Sequence, residues 1–61
     1  MTKSEQRELK TIRTYDAMGE TDTVARALSA LIRCTASTKT RHELMLEAEK
    51  LGVLNNPEFI V

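Results

Sequence analysis

The stretch Asp22–Ser37, DTVARALSALIRCTAS, has the clearest helical pattern in this chain. At about 100° per residue, its polar side chains fall on one stripe roughly 80° wide. That stripe consists of Asp22, Arg26, Ser29, Arg33 and Ser37. Most of the remaining helix surface is apolar, over an arc of roughly 160°. We therefore expect a helix that packs against more than one neighbour.

Stop and start signals on either side of this stretch predict two further helices. Gly19 ends a first helix, and Gly52 ends a third one in the left-handed conformation. Val53 then stands where a Schellman motif places its hydrophobic contact. The expected N-cap of the first helix is Thr2 or Ser4, with Glu5 in a capping-box position relative to Thr2. The second helix is expected to be capped by Thr21 or Asp22, and the third by Thr40 in a capping box with Glu43. The predicted helices span about 4–18, 22–36 and 39–51.

The last residues of the sequence cannot continue the third helix. Pro57 disfavours helical geometry at Asn56, so residues 53–61 are predicted to be an extended tail. Its apolar residues Phe59, Ile60 and Val61 either fold back over the second helix or form a recognition element for a partner. The prediction is an all-α fold, one small helical domain over residues 1–61 with this tail.

The small size of the chain predicts self-association. A domain of 61 residues buries only about 60% of its unfolded surface, and usually needs disulfides, metal or oligomerisation. One cysteine excludes an internal disulfide, and only two aromatic residues are present. We therefore expect a helical homodimer, with the polar stripe left facing solvent or a target. The predicted dimer interface consists of Val24, Ala27, Leu28, Leu31 and Ile32.

Charge balance argues against a dedicated nucleic-acid binder. Nine basic and nine acidic residues give a net charge of zero, whereas phosphate binding normally needs an excess of Lys and Arg. The alternative is a DNA-binding regulator of the helix-turn-helix type, formed by the second and third helices. Its candidate DNA contacts at the start of the third helix are Thr38, Lys39, Arg41 and His42.

Residue patterns that would indicate catalysis are scarce. His42 and Cys34 are the only residues of their types, and they fall on different predicted helices. Cys34 lies on the apolar side of its helix, where we expect a packed thiol. We therefore predict a protein that is not an enzyme, with no catalytic, cofactor-binding or metal-binding residues. No apolar run is long enough for membrane insertion, so a cytoplasmic location is expected.

One apolar residue of the third helix falls outside its core face. Leu46 projects on the far side, where a single exposed leucine is common and needs no special explanation. The alternative is that it anchors a partner protein. The candidate partner contacts are thus Leu46, Phe59, Ile60 and Val61.

The strings ARALSALIR at 25–33, HEL at 42–44 and NPEFIV at 56–61 resemble small accessory proteins of Mu-like temperate phages of pseudomonads. This resemblance implies a small early protein that binds and diverts a host protein. It includes no motif with assigned chemistry, so no functional residue can be transferred. The function predicted from the sequence is a protein-interaction module that binds and modulates an unidentified partner protein.

Overall fold

The computed structural model describes all 61 residues and contains three α-helices and no strand. The helices are α1 (Lys3–Ala17), α2 (Thr21–Cys34) and α3 (Thr38–Leu51). The predicted all-α fold with three helices is confirmed, and the predicted helix ends differ from these bounds by no more than two residues.

Two glycines with positive φ end α1 and α3. Gly19 has a φ of 78° and Gly52 a φ of 74°. After α3, the N–H of Gly52 donates to the carbonyl of Glu49 at 3.1 Å. The N–H of Val53 donates to the carbonyl of Ala48, also at 3.1 Å, and the Val53 side chain is buried. This is the predicted Schellman motif, which is confirmed.

The capping box predicted at the start of α1 is also present. The Thr2 N–H donates to Glu5 Oε1 at 2.8 Å, and the Glu5 N–H donates to Thr2 Oγ1 at 3.1 Å. The hydrogen bond from the Thr2 backbone lowers the pKa of the Glu5 carboxyl. Two of the free N–H groups at this helix end are thereby satisfied.

The N-caps predicted for α2 and α3 are wrong. The N-cap of α2 is Glu20, which makes no side-chain cap, and Thr21 and Asp22 lie inside the helix. The carboxylate of Asp22 accepts a hydrogen bond from Asn56. The cap of α3 is Ser37, whose hydroxyl accepts from the Thr40 N–H at 3.2 Å. Thr40 therefore lies inside α3, where it is buried.

The hydrophobic core lies around α2, which contacts both α1 and α3. Its buried apolar residues are Leu9 and Ile12 of α1; Val24, Ala25, Leu28, Leu31 and Ile32 of α2; Leu44 and Ala48 of α3; and Val53. The apolar arc of α2 is thus covered by other parts of the same chain. This arrangement provides the several neighbours that the pattern of α2 requires.

One ion pair connects α1 and α3. Arg13 Nε donates to Glu47 Oε1 at 2.9 Å. This hydrogen bond lowers the pKa of Glu47 and raises the pKa of Arg13. The pair joins two helices that otherwise meet mainly through α2.

Residues 53–61, here named the C-terminal segment, follow two successive turns and do not form the predicted extended tail. The Asn56 N–H donates to the Val53 carbonyl at 3.0 Å, and the Phe59 N–H donates to the Asn56 carbonyl at 2.9 Å. Phe59 is half-buried and packs against the core. The turns therefore bring the segment back onto the helices.

Candidate docking surface

The C-terminal segment lies along the polar stripe of α2. Three side chains of that stripe, spread over most of the helix, hydrogen-bond to residues of the segment. The contacts are Asn56 Nδ2 to Asp22 Oδ1 (3.1 Å), Arg26 Nη1 to Glu58 Oε1 (3.0 Å) and Arg33 Nη1 to the Ile60 carbonyl (2.8 Å). Asp22, Arg26 and Arg33 remain exposed, as expected for a stripe that faces solvent, but they also bind a part of the same chain that the sequence pattern did not indicate.

The other two residues of the stripe have local roles. Ser29 is buried, and its hydroxyl donates to the Arg26 carbonyl at 3.0 Å. Ser37 lies beyond the end of α2 and caps α3. The hydroxyl of Ser29 is thus satisfied within α2 and needs no hydrogen-bond partner from another part of the chain.

The residues predicted to form a dimer interface are mostly interior residues of the single chain. Val24 and Leu28 have no exposed surface, Leu31 and Ile32 are buried, and Ala27 is half-buried. A dimer formed through the four large side chains would require this core to open. The prediction is corrected because α1, α3 and the C-terminal segment provide the cover that we assigned to a second copy.

The candidate partner contacts occupy different surroundings. Ile60 is 60% exposed and Val61 is 61% exposed, while Phe59 packs against the core. Leu46 is 52% exposed on α3, as expected, but it lines no cavity with the C-terminal segment. Ile60 and Val61 therefore line two cavities that share Arg33, and Leu46 lines neither of them.

A groove of about 480 Å³ lies beside Val61, between the end of α2 and the first half of α3. The residues that line this C-terminal groove are Ile32, Arg33, Arg41, Met45 and Val61. Ile32 is buried and Met45 is half-buried, whereas Arg33 and Arg41 are exposed. The groove thus has an apolar floor and two cationic side chains at its edge.

Neither arginine of the groove has a carboxylate partner. Arg33 donates one N–H to the Ile60 carbonyl, and Arg41 Nη2 donates to the Thr35 carbonyl at 3.2 Å. The ion pairs of the chain are Arg13–Glu47 and Arg26–Glu58. Because a guanidinium carries five N–H donors, both groove arginines retain donors for another molecule. Sequence periodicity did not identify Arg33 as a groove residue, because it indicates the face of a helix but not what covers that face.

All four residues of the helix-turn-helix alternative are exposed near the start of α3. Residues 35–37 are a short turn, and the start of α3 exposes Thr38, Lys39 and His42. Arg41 also lines the C-terminal groove. The exposed residues farther along α3 include the acidic Glu43 and Glu49. Alternating signs of charge on a helix weaken its attraction to phosphate.

Cys34 is exposed at the end of α2, and the expectation of a packed thiol is wrong. The apolar arc of the helix is wider than the buried face, so this side of its last turn stays uncovered. The chain has no group of three or more His, Cys, Asp or Glu residues that could hold a metal ion. None of the three helices has both the length and the apolar character needed to cross a membrane.

Comparison of the chain with protein-family models, curated proteins and solved structures found no match. The resemblance to phage accessory proteins therefore stays a prediction. The candidate docking surface consists of the C-terminal groove and the exposed Ile60 and Val61.

Proposed function

We propose that this chain is a non-enzymatic protein-interaction module that binds a partner protein and modulates it by covering part of its surface. One observation carries the proposal. Ile60 and Val61 stay about three-fifths exposed on a segment that is hydrogen-bonded to α2. Large apolar side chains grouped in the open beside an apolar groove are typical of protein contact surfaces.

The surface is organised before a partner arrives. Arg33 holds the backbone at Ile60, and Arg26 holds the side chain of Glu58 two residues earlier. Binding to a surface that is already ordered loses less conformational entropy than binding to a free peptide tail. This supports a role in recognition for the side chains that point away from α2.

The resemblance to phage accessory proteins suggests the kind of partner. On that basis, the chain binds a host protein in the cytoplasm and diverts the activity of that protein. A second copy of the chain is not required, because the apolar arc of α2 is covered within one molecule.

A photo-cross-linking residue placed at position 61 tests the proposal, with the same residue at position 46 as the matched control. Both positions are exposed apolar residues, but only Val61 lines the groove. In extracts of the cells that make the protein, we expect one cross-linked partner from position 61, suppressed by excess unmodified protein. The same products from both positions would contradict the proposal.

DNA binding is the outcome that would favour the alternative function. The test is binding to random duplex DNA at low salt, where electrostatic attraction to phosphate is strongest. We expect no binding at protein concentrations far above those used for cross-linking. Binding that is lost in Lys39→Ala and retained in Val61→Asp would instead support a helix-turn-helix regulator.

A further inference from the structure

We infer that the C-terminal groove binds an acidic and apolar segment of the partner, with partner apolar side chains in the groove and partner carboxylates on Arg33 and Arg41. This inference rests on the proposed function and specifies the chemistry of its partner. The observation behind it is the combination of an apolar floor with two arginines that lack carboxylates.

The floor of the groove selects for apolar side chains. Ile32, Met45 and Val61 provide its apolar lining, and the volume of about 480 Å³ is in the range of pockets that hold small ligands. Burying apolar surface here is favourable in proportion to the area removed from water. A sugar-phosphate backbone offers little apolar surface, so the floor favours a protein segment over nucleic acid.

The edge of the groove selects for carboxylates. Arg33 and Arg41 each donate one N–H to a backbone carbonyl. This hydrogen bond restrains the guanidinium but does not neutralise its positive charge. A guanidinium binds a carboxylate through two parallel N–H donors, with shorter and stronger hydrogen bonds than neutral groups make. Two such groups beside one groove complement a segment that carries Asp or Glu next to its apolar residues.

Glu58 lines a neighbouring cavity that also includes Arg33, but it makes no ion pair with either groove arginine. Its Oε1 instead accepts a hydrogen bond from Arg26 Nη1 at 3.0 Å. The charge of the two groove arginines is therefore left for a different molecule.

Two synthetic peptides test the inference without any change to the protein. They share the same leucines in a 12-residue amphipathic sequence, with Glu at the polar positions of one and Lys at those of the other. Fluorescence anisotropy should show that the Glu peptide binds at least about tenfold more tightly than the Lys peptide. Amide chemical shifts in NMR should change mainly at residues of the C-terminal groove.

Matched variants assign the binding to the groove. Arg41→Gln and Val61→Asp should each weaken binding of the Glu peptide by about tenfold. Arg7→Gln and Leu46→Asp make the same changes at exposed residues outside the groove and should alter binding by less than about twofold. Circular dichroism on all four variants confirms that each is folded.

Equal affinity for the Glu and Lys peptides would overturn the inference, and so would equal losses in the groove variants and their controls. Binding of a random DNA duplex that is lost in Arg41→Gln would assign the groove to phosphate. Concentration-dependent dimerisation that is lost in Val61→Asp would assign it to a second copy. If the peptides fail while cross-linking from position 61 succeeds, the proposed function stands and the acidic partner chemistry is wrong.

Discussion

Gly52 shows how a single residue ends a helix in this chain. Its φ of 74° lies in the left-handed region, and its N–H and that of Val53 close the end of α3. A Cβ added at Gly52 would meet no atom within 4 Å, so a side chain there costs conformational energy and not a steric clash. The sequence predicts a helix end of this kind, because the residues that form it are at most five positions apart.

We predict that Gly52→Ala lowers the free energy of unfolding by about 1 kcal/mol, because alanine disfavours the left-handed conformation. Gly52→Asn should cost less, since asparagine visits that conformation more readily. Urea unfolding followed by circular dichroism measures both variants. A larger loss for asparagine than for alanine would refute this explanation of the helix end.

Leu28 and Leu46 are two leucines with opposite surroundings. Leu28 is fully buried in the core, whereas Leu46 is 52% exposed. We predict that Leu28→Ala lowers the free energy of unfolding by about 2–5 kcal/mol through lost burial and a cavity. Leu46→Ala should change it by less than about 0.5 kcal/mol. Chemical denaturation measures the free energy of unfolding of both variants. Similar losses in the two would show that the core does not lie where the structure places it.

At the scale of the elements, α1 and α3 are joined by the Arg13–Glu47 ion pair. The hydrogen bond from Arg13 lowers the pKa of Glu47 from its ordinary value of 4.5 in the folded chain. The stabilisation is therefore fully present above about pH 4.5 and is lost as the pH falls through the folded-state pKa.

We predict that Glu47→Gln lowers the melting temperature at pH 7 and that the difference from the unmodified protein shrinks as the pH falls below about 4.5. Glu43→Gln is the control, because Glu43 is an exposed glutamate of the same helix without an ion pair. Thermal melts between pH 3 and pH 7 measure both variants. A difference for Glu47→Gln that does not depend on pH would contradict this role of the pair.

The elements also show which part of the fold lies beyond sequence patterns. The helices follow from periodicity and end signals, which depend on near neighbours along the chain. The contacts of the polar stripe join residues 22 and 56, 26 and 58, and 33 and 60. A periodic pattern identifies such a stripe but carries no information about which distant segment covers it.

Sequence patterns likewise do not identify which apolar residues of the candidate site are exposed. The sequence is compatible with residues 59–61 either folding back or forming an exposed recognition tail, and the structure buries only part of this group. Phe59 turns into the core while Ile60 and Val61 stay outside. Which of three adjacent apolar residues is buried depends on the turns at residues 53–59, and Pro57 indicates only that the helix has stopped.

At the scale of the whole molecule, one chain encloses its own core. The buried residues come from all three helices and from Val53, so each part of the chain contributes to covering α2. We predict that the melting temperature does not change between about 10 µM and 1 mM protein, because unfolding of a monomer does not depend on concentration. Differential scanning calorimetry measures the melting temperature at each concentration. A melting temperature that rises with concentration would indicate the homodimer predicted from the small size.

The C-terminal segment completes the fold by lying along the polar stripe of α2. The most direct test is the free energy of unfolding of a chain that ends at Asn55, compared with the full chain. Loss of the half-buried Phe59 and of the contacts to Asp22, Arg26 and Arg33 should lower it by about 2 kcal/mol. An unchanged free energy of unfolding would show that the segment is a free tail that contributes nothing to the fold.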